Sequence, residues 1–143
     1  MTPLDAWAHK TAFEASPSSV SLAREFVREH LLAHVLPHLV EDVRLVASEL
    51  ATNAVQHACT AFVVSLSQAG GLVLLRVQDS SASRLLPTHP DALDESGRGL
   101  LIVALISQAW GLEIDQDGGK CVWAAFPASP GARDEPGSLD PRS

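Results

Sequence analysis

The sequence predicts an α+β two-layer sandwich, a mainly antiparallel sheet covered on one face by three helices. Three observations carry that expectation. Two stretches in the first half repeat apolar residues at helical spacing, Val20, Ala23, Val27 and Leu31 in one and Val43, Val46, Leu50 and Ala54 in the other. Two pairs of β-rich segments are parted by glycine-bearing turns, Gly70-Gly71 and Asp117-Gly118-Gly119, which signal hairpins. Between the hairpins runs one further apolar stretch, LLIVALISQAW, most simply a buried third helix. Helices and antiparallel strands in that order segregate into two layers.

Taken along the chain, residues 1–10 read as a flexible N-terminus and Thr11 to Ala15 as a short strand. Ser16-Pro17-Ser18-Ser19 is a helix start, because serines can cap free amides and proline is tolerated in the first turn. Pro37 should interrupt that first helix. Leu39 to Ala58 reads as a second, longer amphipathic helix, followed by the strands FVVSLS and LVLLRVQD. Residues 80–96, with two prolines and no period, form a long loop of the kind that acts as a lid. The third helix is expected to end at Gly111, and GLEID and KCVWAAF should close the fold as a hairpin. The domain thus spans 11–127, and 128–143 form a disordered tail of Pro, Gly, Ser and charged residues.

A chain of 143 residues with 46% hydrophobic and 19% charged residues is a single globular domain rather than a rod or a disordered segment. Its formal charge of -7 repels phosphate backbones, and no basic patch compensates, which argues against direct nucleic-acid binding. Cys59 and Cys121 lie in apolar settings without zinc-site spacing and read as reduced thiols. The start of the chain lacks the continuous apolar segment of a signal peptide, and the longest apolar run, Leu100 to Ile106, is too short to span a bilayer. A cytoplasmic protein is expected.

Three polar features stand in apolar settings. Taking Val46 as the origin of a 100° helical wheel, Val43, Leu50 and Ala54 define the buried stripe, while Glu49, Asn53 and His57 fall at about 300°, 340° and 20°, beside or within it. One reading is a surface glutamate, a loop-bonded asparagine and a core histidine; the other is a set of oxygen ligands for Mg²⁺ or for a hydroxyl. Asp79 ends the inward row Val73, Leu75, Val77 and suits either an amino group of an adenine or the capping of the turn that follows. Gly97-Arg98-Gly99 opens the third helix, where free amides can meet phosphate oxygens and Arg98 can add a charge-assisted contact. It is neither a Walker A motif nor a dinucleotide fingerprint. Together the three features describe one nucleotide site.

The combination resembles the GHKL or Bergerat-fold ATPases, and within them the bacterial anti-sigma regulatory factors with serine-protein kinase activity, from about Phe13 to Phe126. SELATNAVQHA at 48–58 resembles the N box, VQDSS at 77–81 the adenine box, and ESGRGLLIV at 95–103 the second glycine box. The resemblance implies ATP and Mg²⁺ as cofactors, with Asn53 on the metal, Asp79 on the adenine amino group, and Glu49 as the base. It further implies that Gly97, Arg98, Gly99 and Leu100 hold phosphates, that Arg98 also serves catalysis, and that His57 and Ser81 belong to the nucleotide site. A sigma factor and an anti-anti-sigma protein are the implied partners, with a homodimer as a further possibility.

Asp79-Ser80-Ser81-Ala82-Ser83 departs from the Asp-x-Gly-x-Gly of the wider superfamily. Two functions therefore stand open: a serine kinase acting on an anti-anti-sigma antagonist, and a noncatalytic module that binds ATP or sequesters a sigma factor.

Overall fold

The computed structural model describes residues 6–58, 60–79, 99–114 and 119–129, with only the backbone at 57 and 58. Five strands form one sheet in the order β1-β2-β3-β5-β4, every pair antiparallel. They are β1 (Trp7–Phe13), β2 (Phe62–Ala69), β3 (Leu72–Asp79), β4 (Ala109–Ile114) and β5 (Lys120–Pro127). Two helices, α1 (Ser18–Ala33) and α2 (Val40–Asn53), and a third, α3, over residues 99–106, pack on one face. The α+β sandwich expected from the sequence is the observed fold.

The layers meet along the predicted stripes. Ala23, Val27 and Leu31 of α1 and Val43, Val46, Leu50 and Ala54 after them are buried against Phe62, Val64 and Leu66 of β2 and Val73, Leu75 and Val77 of β3. Full burial of one such Val, Leu or Phe contributes roughly 1.5–3 kcal/mol. On β5, Val122, Ala124 and Phe126 face this core. The β2–β3 hairpin turns at Gly70 and Gly71, whose φ angles of 62° and 83° are both left-handed, as a two-residue type I′ turn requires.

Several boundaries differ from expectation. The first strand begins at Trp7 and ends at Phe13, so residues 7–10 belong to the sheet. What orders them is tertiary: Trp7 pairs with Gln68 in register, and its indole Nε1–H donates to Gln68 Oε1 at 2.7 Å. At the start of α1 no serine side chain caps the helix; Pro17 is the N-cap, and the Ser19 amide donates to the Ser16 carbonyl at 2.9 Å. Gly111 does not end α3, because the chain is already in β4 from Ala109. Gly111 is needed for another reason: a Cβ there would lie 2.6 Å from Cζ2 of Trp123, its register partner.

The second helix is not uniform. Pro37–Leu39 is a 3₁₀ turn, α2 proper starts at Val40, and Ala54–Ala58 forms a π-helical turn. The wider turn changes the rotation per residue, so the wheel position deduced for His57 from 100° steps does not hold. At its C-terminus α1 closes with the Leu36 amide on the Leu31 carbonyl at 2.8 Å and the Val35 amide on Leu32 at 3.1 Å, a Schellman pair. The residue in the left-handed position, Val35, is β-branched, with φ 59° and 79% exposure. Ala128, given to the tail above, is buried and tethered by its amide to the Gly71 carbonyl and by its carbonyl to His38 Nε2.

Candidate functional site

Two side chains of α2, one turn apart, start the site. Glu49 and Asn53 are partly buried at the edge of the stripe formed by Val46, Leu50 and Ala54. Gly99, the first described residue of α3, comes down on them. A Cβ built on Gly99 would stand 3.1 Å from Glu49 Oε1, 3.7 Å from Asn53 Nδ2 and 3.9 Å from Asn53 Oδ1. A Cβ there would press on the Glu49 carboxylate, which would have to give by a few tenths of an ångström, and would touch Asn53 at ordinary van der Waals distance. Among the described residues no hydrogen bond or ion pair engages either side chain.

The third helix is held in this position by its own anchors. Val103 is fully buried, and Leu100 and Ile106 pack on the core. The Ser107 hydroxyl donates to the Val103 carbonyl at 2.6 Å, and the Gln108 amide donates to Ala125 on β5 at 2.8 Å. These contacts tie the C-terminal end of α3 to the sheet, so its first residues are aimed at α2 by a fixed lever.

Asp79 lies at the end of β3, 5% exposed, at the close of the buried row Val73, Leu75, Val77. Its register partners are Phe62 on β2 and Lys120 on β5. The expected inward direction is thus observed. His57 is placed only by its backbone, within the π turn that follows Asn53. Ser81, Gly97 and Arg98, together with the 80–96 loop, lie outside the described residues.

Sequence reasoning passed over two residues, one of them beside Asp79. Lys120 is directly across from it on β5 and shares its side of the sheet, which a hairpin reading of GGKC does not reveal. Thr60, two residues before Phe62, has a buried hydroxyl without a hydrogen-bond partner among the described residues. Nothing in the local pattern marks that threonine, because its burial comes from the packing of its neighbours rather than from any period.

The donor set has a definite chemistry. The Asn53 amide oxygen and the Glu49 carboxylate are hard oxygen donors of the kind that Mg²⁺ takes, with water completing its shell. Amides at the first residues of α3 are unsatisfied within the helix and favour anionic oxygen. The buried Asp79 carboxylate is an acceptor suited to an exocyclic amino group at the bottom of an otherwise apolar pocket. The described residues are thus chemically compatible with both a metal and a nucleotide.

Comparison with known families agrees with this geometry. The model of the histidine kinase-like ATPase domain matches residues 13–126, from the end of β1 to the end of β5. No curated protein matches the chain. No described helix is long and apolar enough to cross a membrane.

Proposed function

The chain belongs to the histidine kinase-like ATPase family, an ATP-binding domain of the GHKL type, and from that premise we propose that it is an anti-sigma regulatory factor that binds Mg·ATP and phosphorylates a serine of an anti-anti-sigma protein. One observation supports the reading: the backbone of Gly99 on α3 lies against Glu49 and Asn53, the residues to which the reading gives the base and the metal ligand.

In this reading Asn53 Oδ1 holds the Mg²⁺, and the amides of Gly99 and Leu100, with Gly97 and Arg98 before them, receive the phosphate oxygens. Bound Mg²⁺ supplies charge neutralisation for in-line phosphoryl transfer. Glu49 accepts the proton of the acceptor serine as its oxygen attacks, which requires the carboxylate to be unengaged by protein, as it is among the described residues. Asp79 selects the base. An adenine presents an amino group where guanine presents a carbonyl oxygen, so the carboxylate favours ATP over GTP. His57 and Ser81 complete the nucleotide pocket, and a sigma factor and a second copy of the chain are the proposed binding partners.

The test combines calorimetric titration of ATP, ADP and GTP with phosphoserine formation on anti-anti-sigma proteins from the same genome. ATP must bind more tightly than GTP, and wild type must form phosphoserine. Equal affinities overturn the role of Asp79. ATP binding without any transfer, with a sigma factor still captured, overturns the kinase and leaves a noncatalytic module.

A further inference from the structure

Away from Glu49, Asn53 and Asp79, three imidazoles meet between the edge strand and the end of the first helix. His9 projects from β1, and His30 and His34 lie one turn apart near the C-terminus of α1. The Nε2 atoms of His9 and His34 are 2.9 Å apart. The His9 ring stacks on His30 with centroids at 3.9 Å and 16° between planes, and the Trp7 indole stacks on His34 at 4.0 Å and 3°. Phe26 closes the group edge-on to His30 at 4.7 Å.

A contact between two Nε2 atoms at this distance is a hydrogen bond only while one nitrogen donates and the other accepts. Protonating both rings turns both nitrogens into donors and places like charges in contact. A third imidazole stacked on the pair adds to that cost.

The surroundings act in both directions. Glu29, beside His30 on α1, favours its charged form. Lys10 of β1 and Glu25 of α1 line the same groove, but Glu25 also faces Arg28 at 3.9 Å and Arg44 of α2 at 3.8 Å. From β2, His9 meets Leu66 in register and Trp7 meets Gln68, neither of which titrates. Burial, followed by the neighbouring His9, holds both His30 and His34 below the ordinary imidazole range.

We propose that the His9–His30–His34 stack is a proton-sensitive latch, which clamps the N-terminal half of β1 to the end of α1 when neutral and releases it on acidification. Release is local. At the other end of β1, Phe13 packs on Phe62 at 5.7 Å and edge-on to Phe26 at 6.3 Å, contacts that carry no proton-dependent group. Freeing residues 7–10 uncovers the outer edge of β2 at Ser65–Gln68, a row of unpaired backbone groups ready for another strand. The latch thereby makes access to one sheet edge depend on pH.

Hydrogen exchange of the full chain at pH 7.5 and pH 5.5, corrected for the intrinsic pH dependence of exchange, tests this. Amides of residues 7–10 are expected to exchange about tenfold or more faster at the lower pH relative to those of β2 and β3, a local opening that leaves the rest of the sheet protected. In His9→Gln/His34→Gln, which keeps polar side chains without titration, the ratio should stay constant. Unchanged relative protection in wild type, or equal loss in the variant, overturns the latch. Nuclear magnetic resonance titration of the wild-type imidazoles keeps the proposal falsifiable if the variant fails to fold: His30 and His34 protonating at or above the free-imidazole value overturn it.

Discussion

On α1, His30 and His34 are four residues apart and are filled in by protein: His9 and Trp7 stack on them, and His9 bonds one of them. On α2, Glu49 and Asn53 are also four residues apart, yet what meets them is the bare backbone of Gly99. Both pairs flank a buried stripe, and both are polar. The neighbouring element makes the difference. Where β1 brings complementary rings, the polar groups close on one another and their chemistry becomes a matter of stability. Where α3 brings a glycine, no other described side chain closes on the polar groups, which is what the proposed nucleotide site requires. A periodic polar pair beside a core stripe therefore specifies a site only once its opposing surface is known.

The sharpest way to break this comparison is to remove each pair in turn. Glu49→Ala should lower phosphotransfer by about 10²-fold with nucleotide affinity nearly unchanged, the usual scale for a positioned base. Asn53→Ala should weaken Mg·ATP binding by about tenfold or more because a metal ligand is lost. His34→Gln should do neither. Kinetic assays and calorimetry on the three variants read the outcome; a transfer defect in His34→Gln would abolish the distinction between the two clusters.

Two glycines extend it. Gly111→Ala drives a methyl group into the face of Trp123 and should destabilise the fold by about 1–3 kcal/mol, the cost of overpacking, without touching nucleotide affinity. Gly99→Ala meets only the tip of the Glu49 side chain, which can turn aside, so stability should fall by less than about 1 kcal/mol while Mg·ATP affinity drops several-fold. Denaturant melts paired with ATP titration separate the two.

The closed cluster has its own signature. His30 and His34 protonate in the unfolded chain near the ordinary value of 6.5 but less readily in the fold. The unfolded state therefore binds more protons as pH drops below 6.5, and the contribution to stability, complete above that pH, is lost toward the lower folded values. Thermal melts at pH 7.5 and 5.5 should show a larger loss for wild type than for His30→Gln/His34→Gln. The smallest effect concerns the frame of the cluster. Val35→Gly removes a β-branched residue from a left-handed position at the end of α1 and should stabilise by about 1 kcal/mol, with the pH dependence unaltered.

How much of this was legible beforehand follows from which forces act locally. The stripes of α1 and α2 and the alternation of β3 and β5 were readable because burial imposes a period on the residues themselves. Glu49, Asn53 and Asp79 were readable for the same reason, as polar exceptions within a period. Strand β1 was placed too late because Trp7, His9 and Thr11 show no apolar alternation; partners on β2 and α1 order them. The start of β4 was hidden because Ala109 and Trp110 continue the apolar run of α3. Lys120 joined the site only through its register with Asp79, a relation between strands that a hairpin motif does not contain.

The π turn at Ala54–Ala58 has a consequence for how the chain tolerates insertions and deletions. Such a turn amounts to one residue accommodated in a helix by widening a single loop of backbone. Deleting one residue from this stretch would remove that accommodation and let the α-helix continue at its normal pitch, leaving Glu49, Asn53 and the chain downstream close to their places. Only a change that the turn cannot take up would shift the register of β2 and exchange Phe62, Val64 and Leu66 for Val63, Ser65 and Ser67. The turn is thus a buffer between that helix and the sheet, and the loss of a single codon there would cost the helix its bulge before it cost the core its register.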